Sequence, residues 1–156
     1  MYADIAFYKS LYGEIDTTEY NRLAGHAAKL LDKYTTGIDG VQKLRVAFPV
    51  DLDAQEWVKR CECAVLNLLS RVEKAEAAAT AHKGANGQNV AGAVSSVSSG
   101  SESISYTSGG SAINAAAGDI TARERLIAAT IREYLCGVKD AKGVNLLYMG
   151  VYPYVL

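Results

Sequence analysis

The sequence predicts a mainly α-helical protein, a small bundle of three long helices preceded by a short N-terminal helix. Three amphipathic stretches, each with capping residues at its start, predict the long helices. Between the second and third stretches lie about forty residues of mostly Ala, Gly and Ser, too poor in apolar surface to offset the entropy of ordering them. They predict a long flexible insertion, and the apolar, aromatic last residues predict an extended C-terminal tail that packs against something.

The first two helices have well-marked ends. Asp4 is a typical N-cap and Gly13 a typical stop for the short opening helix. Asp16 with Glu19 forms an Asp variant of the capping box and predicts a helix over about 17–35. The apolar residues that give the two helices their period are Ile5, Tyr8 and Leu11, then Tyr20, Leu23, Ala27, Leu30, Leu31 and Tyr34.

The other two long helices are predicted in the same way, from capping residues and apolar period. Residues 37–50 carry Gly and Pro around a short apolar run and predict a loop, after which helices are predicted over about 53–75 and 121–136. Their capping boxes are Asp53 with Glu56 and Thr121 with Glu124. Trp57 is the best single candidate for a core residue, because it is the largest side chain on the apolar stripe.

The insertion is predicted to span 77–118 within one domain of residues 1–156. Its 84–111 part is either mobile or ordered by a partner. Residues 101–108 alternate polar and apolar side chains, which predicts a short β-strand or hairpin with unpaired backbone groups.

Composition limits the class of protein. The 16 Lys and Arg residues nearly balance the 17 Asp and Glu residues, which disfavours a dedicated nucleic-acid binder. No uninterrupted apolar leader and no run of 18 apolar residues is present in the sequence, so we expect a soluble protein made in the cytoplasm with no membrane partner.

No catalytic motif survives inspection, and we expect no enzyme activity, cofactor or metal. The cysteines are expected to be small hydrophobes in a reducing compartment, and His26 a surface residue. The basic residues of the second long helix alternate with Glu56, Glu62, Glu73 and Glu76, which favours a solvated face with i,i+4 pairs.

Five segments, read in order, resemble the head-tail connector proteins of tailed bacteriophages, also called head-completion or adaptor proteins. The segments are YADIAFYKSLYG, TTEYNRLAGHAAKLLDKYTTG, EWVKRCECAVLNLL, SESISYTS and LLYMGVY. The resemblance implies a virion protein at the head-tail junction, assembled in the host cytoplasm as a closed ring of its own copies, twelve-fold in that family. The ring would bind the portal protein and downstream neck or tail proteins, while DNA passes through its channel without specific binding.

The resemblance also implies which residues contact neighbours. They lie in a strand-like SxSY-type segment and in the tail, where Met149 stands at a position that is commonly basic. The candidate contact residues are Ser103, Ile104, Ser105, Tyr106, Thr107, Leu146, Leu147, Tyr148, Met149, Tyr152 and Tyr154. Exposed strand edges and aromatic tails are liabilities in a monomer but suit a subunit that completes itself on neighbours.

The sequence is also compatible with other functions. A cytoplasmic helical adaptor or regulatory module would bind a partner through its tyrosine-rich surface and form no large ring. A different phage neck component, such as a stopper or tail terminator, would be richer in strands. A small enzyme using Cys136 or His26 would need a pocket with convergent polar groups.

Overall fold

The computed structural model describes residues 1–81, 96–99, 102–105 and 112–153. The prediction of a mainly helical bundle is confirmed. The helices are α1 (Ile5–Tyr12), α2 (Thr17–Thr35), α3 (Lys43–Val46), α4 (Leu52–Ala81), α5 (Ala112–Gly118) and α6 (Ile120–Leu135). Two short antiparallel strands, β1 (Ser96–Ser99) and β2 (Glu102–Ser105), pair with Val97 opposite Ile104.

The first two helices begin and end where their capping residues predict. The Asp4 carboxylate accepts the N–H of Phe7, and Gly13 ends α1 with a φ of +87°, a conformation that favours glycine. The Asp16 carboxylate accepts the N–H groups of Thr18 and Glu19 at the start of α2.

Two helix starts lie one residue earlier than predicted, because an earlier aspartate supplies the cap. The Asp51 carboxylate accepts the N–H of Ala54 at 2.9 Å, so α4 begins at Leu52. Asp119 accepts the N–H of Thr121 at 2.8 Å, so α6 begins at Ile120.

Other differences concern the segments predicted as irregular. The segment 37–50 was predicted as a loop but contains the single turn α3. α4 continues to Ala81 through its alanines, which have the highest helix propensity, and α5 lies inside the predicted insertion.

The chain divides into two compact units. The first consists of Met1–Leu69 with the chain from Arg125 onward, and the second of Ser70–Glu124. In the second unit, Arg123 makes an ion pair with Glu76 and its Nε donates to the carbonyl of Ala116.

The central part of α4 forms the core of the first unit. Nine of the twelve residues from Val58 to Leu69 are buried and the other three are partly buried. α2 buries four of the six residues of its predicted apolar stripe, and the other two are partly buried. Trp57 lies outside this core and is 48% exposed, so the prediction that it is a core residue is wrong. Because α4 is enclosed all round, smaller side chains such as Val65 and Leu66 fill the interior in its place.

An acidic residue lies inside this enclosed stretch. Glu62 is 1% exposed, and its Oε2 accepts the backbone N–H groups of Tyr2 at 2.7 Å and Ala3 at 2.5 Å. Its buried Oε1 has no hydrogen-bond partner among the described residues, and burial raises the pKa of the carboxyl. The prediction that Glu62 belongs to a solvated face is therefore wrong, whereas Glu56 does pair with Arg60 one turn later.

Candidate assembly surface

An open groove of about 640 Å³ lies beside the start of α4 in the first unit. It is lined on one side by Val50 and Trp57 and on the other by the turn that follows α6, 136–141. Val50 and the adjacent Leu52 are 74% and 77% exposed. Large apolar side chains this exposed are uncommon when they lie together on a soluble monomer.

The Trp57 ring packs at one end of a row of tyrosine rings. Its ring lies 6.3 Å from that of Tyr134, whose hydroxyl is hydrogen-bonded to that of Tyr12. Tyr12 in turn contacts Tyr8 at 5.4 Å between ring centroids, and Tyr8 contacts Tyr20 at 5.9 Å. These rings come from α1, α2, α4 and α6, so aromatic packing holds the half-exposed indole in place.

The groove continues into a smaller depression of about 340 Å³ at the tail. Cys136 and Gly137 line both, and Leu147 and Tyr148 form the far side of the depression. Gly137 has a φ of +80°, which lets the chain turn sharply after α6.

Beyond Tyr148 the exposed apolar residues extend to a turn after α2. The N–H of Ile38 donates to the carbonyl of Met149 at 3.1 Å, and both side chains are exposed. We call this set of exposed residues and the groove between them the apolar surface; its members are Ile38, Val50, Leu52, Trp57, Tyr148 and Met149.

The tail that carries Tyr148 and Met149 is held from inside the protein. Lys43 is fully buried, and its Nζ donates to the backbone carbonyls of Thr35 at 3.1 Å, Leu146 at 3.0 Å and Tyr148. Burial lowers the pKa of this ammonium group. A buried cation satisfied by three carbonyls fixes the backbone of the tail.

A second anchor lies at Tyr152. Its hydroxyl donates to Asp140 at 2.6 Å and its N–H to Asp39 at 2.7 Å. Tyr152 and Leu146 are 2% and 0% exposed, so these two predicted contact residues pack within their own protomer. The tail is thus divided, with Leu146 and Tyr152 pointing inward and Tyr148 and Met149 pointing outward.

The remaining predicted contact residues have different placements. Leu147 is partly exposed at the depression. Ser103, Ile104 and Ser105 belong to β2 and pair with β1. Tyr106, Thr107 and Tyr154 lie outside the described residues.

Four residues of the apolar surface were not predicted as contact residues, namely Ile38, Val50, Leu52 and Trp57. Trp57 lies at a helical position that is typical of core residues. Its exposure becomes evident only in the tertiary structure, where the residues that follow it on α4 are enclosed and the indole is not. Ile38 has no period to reveal it, because it lies in a turn. The sequence does hold one signal that bears on Trp57: the segment CECAVLNLLS carries apolar side chains on every face of the helix, despite three polar residues, and indicates a central helix.

The described residues contain no group of three or more His, Cys, Asp or Glu side chains able to hold a metal ion. No described helix combines the length and apolarity needed to cross a membrane. His26 is exposed on α2, Cys136 is exposed at the groove, and Cys61 and Cys63 are buried.

Comparisons with protein-family models, with curated proteins and with solved structures found no match for this chain.

Proposed function

We propose that this chain is a structural subunit of a tailed-phage head-tail junction. In this proposal it forms a closed ring with its own copies, binds the portal and later neck or tail proteins, and surrounds the DNA channel. The order of the five sequence segments supports the family, and the apolar surface supports assembly. The observation that carries the proposal is the tail anchored by Lys43 and Tyr152, which presents Tyr148 and Met149 outward beside a half-exposed Trp57.

The energetics favour covering this surface. A buried aromatic side chain contributes 150–250 Å² of contact, and removing apolar area from water is worth about 25 cal/mol per Å². Covering the exposed half of Trp57 would therefore contribute roughly 2–3 kcal/mol. Tryptophan and tyrosine near the centre of an interface are typical of residues that dominate binding.

The β1–β2 hairpin fits the same proposal as a second contact. Among the described residues the sheet has two strands, so one edge of each has no partner strand there, and such a hairpin is marginally stable by itself. We propose that β2 adds its free edge to a neighbouring subunit or to the portal. Deleting 84–111 should then preserve the helical circular dichroism signal and abolish assembly.

The test is the assembly state of the purified chain, alone and mixed with a portal protein from the same genome. Electron microscopy should show closed rings for the wild type. The double variant Trp57→Ser/Tyr148→Ser should remain folded and form none, because it removes the two aromatic contacts. The matched control Ile120→Ser changes an exposed apolar residue outside the apolar surface and should leave rings intact.

Two outcomes would count against the proposal. Rings that form equally well with the double variant would show that the apolar surface is not the contact. A wild-type chain that stays monomeric with and without portal would instead favour a cytoplasmic adaptor.

A further inference from the structure

A second open depression, of about 610 Å³, lies in the same compact unit as the groove beside Trp57. We call it the aromatic pocket; its walls include Tyr2, Arg45, Phe48, Gln55 and Lys59. At 3.6 residues per turn, Gln55 and Lys59 each project about 160° away from Trp57 around the axis of α4. The groove and the aromatic pocket therefore lie on opposite faces of the start of this helix.

Two stacked aromatic rings form one wall of the aromatic pocket. The ring centroids of Tyr2 and Phe48 lie 5.6 Å apart, and the angle between the ring planes is 5°. The Tyr2 hydroxyl donates to the buried carboxylate of Asp32, which also accepts the Nε–H of Arg45 at 2.8 Å. These bonds fix the stack, and both rings keep part of their surface exposed. A further aromatic side chain could pack against this wall.

The two depressions carry opposite charge. The charged residues that line the groove are Asp51, Asp53, Lys139 and Asp140. Those that line the aromatic pocket are Asp32, Arg45 and Lys59. The Arg45 side chain is 67% exposed, whereas the Asp32 side chain is 6% exposed, and no described residue forms a hydrogen bond or ion pair with Lys59. The groove is thus acidic and the aromatic pocket basic, which favours a contact between them.

We propose that the aromatic pocket of one copy receives Trp57 of the next copy in a head-to-tail contact. This inference rests on the proposed assembly from copies and names the second face of that contact. The indole packs against the stacked rings, and the Arg45 guanidinium lies over its face in a cation–π pair. Asp53, about one turn before Trp57, pairs with Lys59 of the other copy. A contact between two different faces repeats in one direction and gives a ring when its rotation closes.

The same charges disfavour a contact of the groove with itself. In a two-fold contact, a surface meets the identical surface of its partner. Asp51 and Asp53, both exposed, would then lie across the interface from the same carboxylates, and like charges repel. An acidic groove needs a basic partner, and this chain presents one at the aromatic pocket.

The experiment reverses one charge on each face and measures the assembly of the full chain by sedimentation velocity and electron microscopy. Lys59→Glu and Asp53→Lys should each reduce the fraction of chain in rings at least about tenfold, since each places like charges opposite one another. The double variant Asp53→Lys/Lys59→Glu restores opposite charges between copies and should return this fraction to within about twofold of wild type. The two positions are six residues apart on α4 and do not face each other, so a pair within one helix cannot account for the rescue.

A mixing test identifies the head-to-tail arrangement. Trp57→Ser removes the entering ring and keeps the aromatic pocket, whereas Lys59→Glu keeps the ring and spoils the pocket. Each variant alone should be monomeric. Their mixture has one intact contact per pair of copies, so it should sediment as a one-to-one dimer that does not extend.

The matched control is Arg125→Glu, which makes the same charge change at an exposed residue that lines neither depression and should leave rings intact. Circular dichroism checks that each variant is folded. Wild-type rings together with unchanged rings in Lys59→Glu, or no rescue in the double variant, would overturn this inference and leave the proposed function standing. Rings that survive Lys59→Glu but no longer bind portal would assign the aromatic pocket to a different protein and overturn it as well. A wild-type chain that stays monomeric overturns both.

Discussion

Lys43→Met should destabilise the protein by about 2–4 kcal/mol. Methionine keeps the apolar stem but removes the ammonium group that donates to the carbonyls of Thr35, Leu146 and Tyr148. A buried polar group left without a partner costs about 1–3 kcal/mol. The bonds to the carbonyls of Thr35 and Leu146 are buried and the bond to Tyr148 is only partly buried, so two carbonyls enter the sum. Methionine also avoids the cost of burying a cation, which offsets part of the loss.

The assay is urea denaturation followed by circular dichroism, with limited chymotrypsin digestion as a second readout. Cleavage at the tail tyrosines should accelerate in Lys43→Met, because the tail loses its anchor. Lys29→Met, at an exposed lysine, should stay within about 0.5 kcal/mol of wild type. A loss below about 1 kcal/mol in Lys43→Met, with unchanged cleavage, would refute the conclusion that this ammonium group holds the tail.

Three further predictions concern a buried carboxyl group, two buried thiols and a glycine with open space beside it. Because burial raises the pKa of Glu62 above its usual 4.5, the folded state binds more protons than the unfolded one above that pH, and wild-type stability falls as pH rises through the raised pKa. Glu62→Gln lacks this loss, so its stability relative to wild type should increase from pH 4 to pH 8 in parallel denaturation curves; a constant difference would contradict the reasoning. Thiol labelling of the native protein should modify exposed Cys136 rapidly and spare buried Cys61 and Cys63. Burial raises the pKa of both buried thiols, that of Cys63 to about 12, so little thiolate is present to react. Fast labelling of a second thiol would count against the burial of these two cysteines. A Cβ at Gly25 in α2 would meet nothing within 4 Å, so Gly25→Ala should raise the free energy of unfolding by up to about 1 kcal/mol in the urea assay, whereas a decrease would mean that this position is not open.

Local signals predicted the helices well. Asp4, Asp16 and Gly13 fix their boundaries through hydrogen bonds and backbone conformation within a few residues of themselves, so a sequence pattern is enough. The starts of α4 and α6 were displaced by one residue because Asp51 and Asp119, not the later residues, act as caps.

The placement of individual side chains could not be read in the same way. Helical period assigns Trp57 to the interior and Glu62 to the exterior, but α4 is packed on all sides, so the usual link between charge and exposure fails there. Lys43 is buried only because carbonyls from α2 and from the tail converge on it, which is a property of tertiary structure.

The candidate surfaces show the same limit. The aromatic tail was predicted to make contacts, yet its alternation between inward Leu146 and Tyr152 and outward Tyr148 and Met149 depends on the anchors at Lys43 and Asp140.

The anchor at Lys43 also bears on protein synthesis. Leu146 follows Lys43 by 103 residues, and Tyr152 follows Asp39 by 113 residues. Lys43 and Asp39 therefore leave the ribosome long before the residues that they bind. At about 5–20 residues per second, this interval lasts several seconds or more, during which the lysine remains hydrated and the region around it cannot close. The region around Lys43 should therefore acquire its native structure only after residues 146–152 have left the ribosome, and products that stall before them should be selectively degraded.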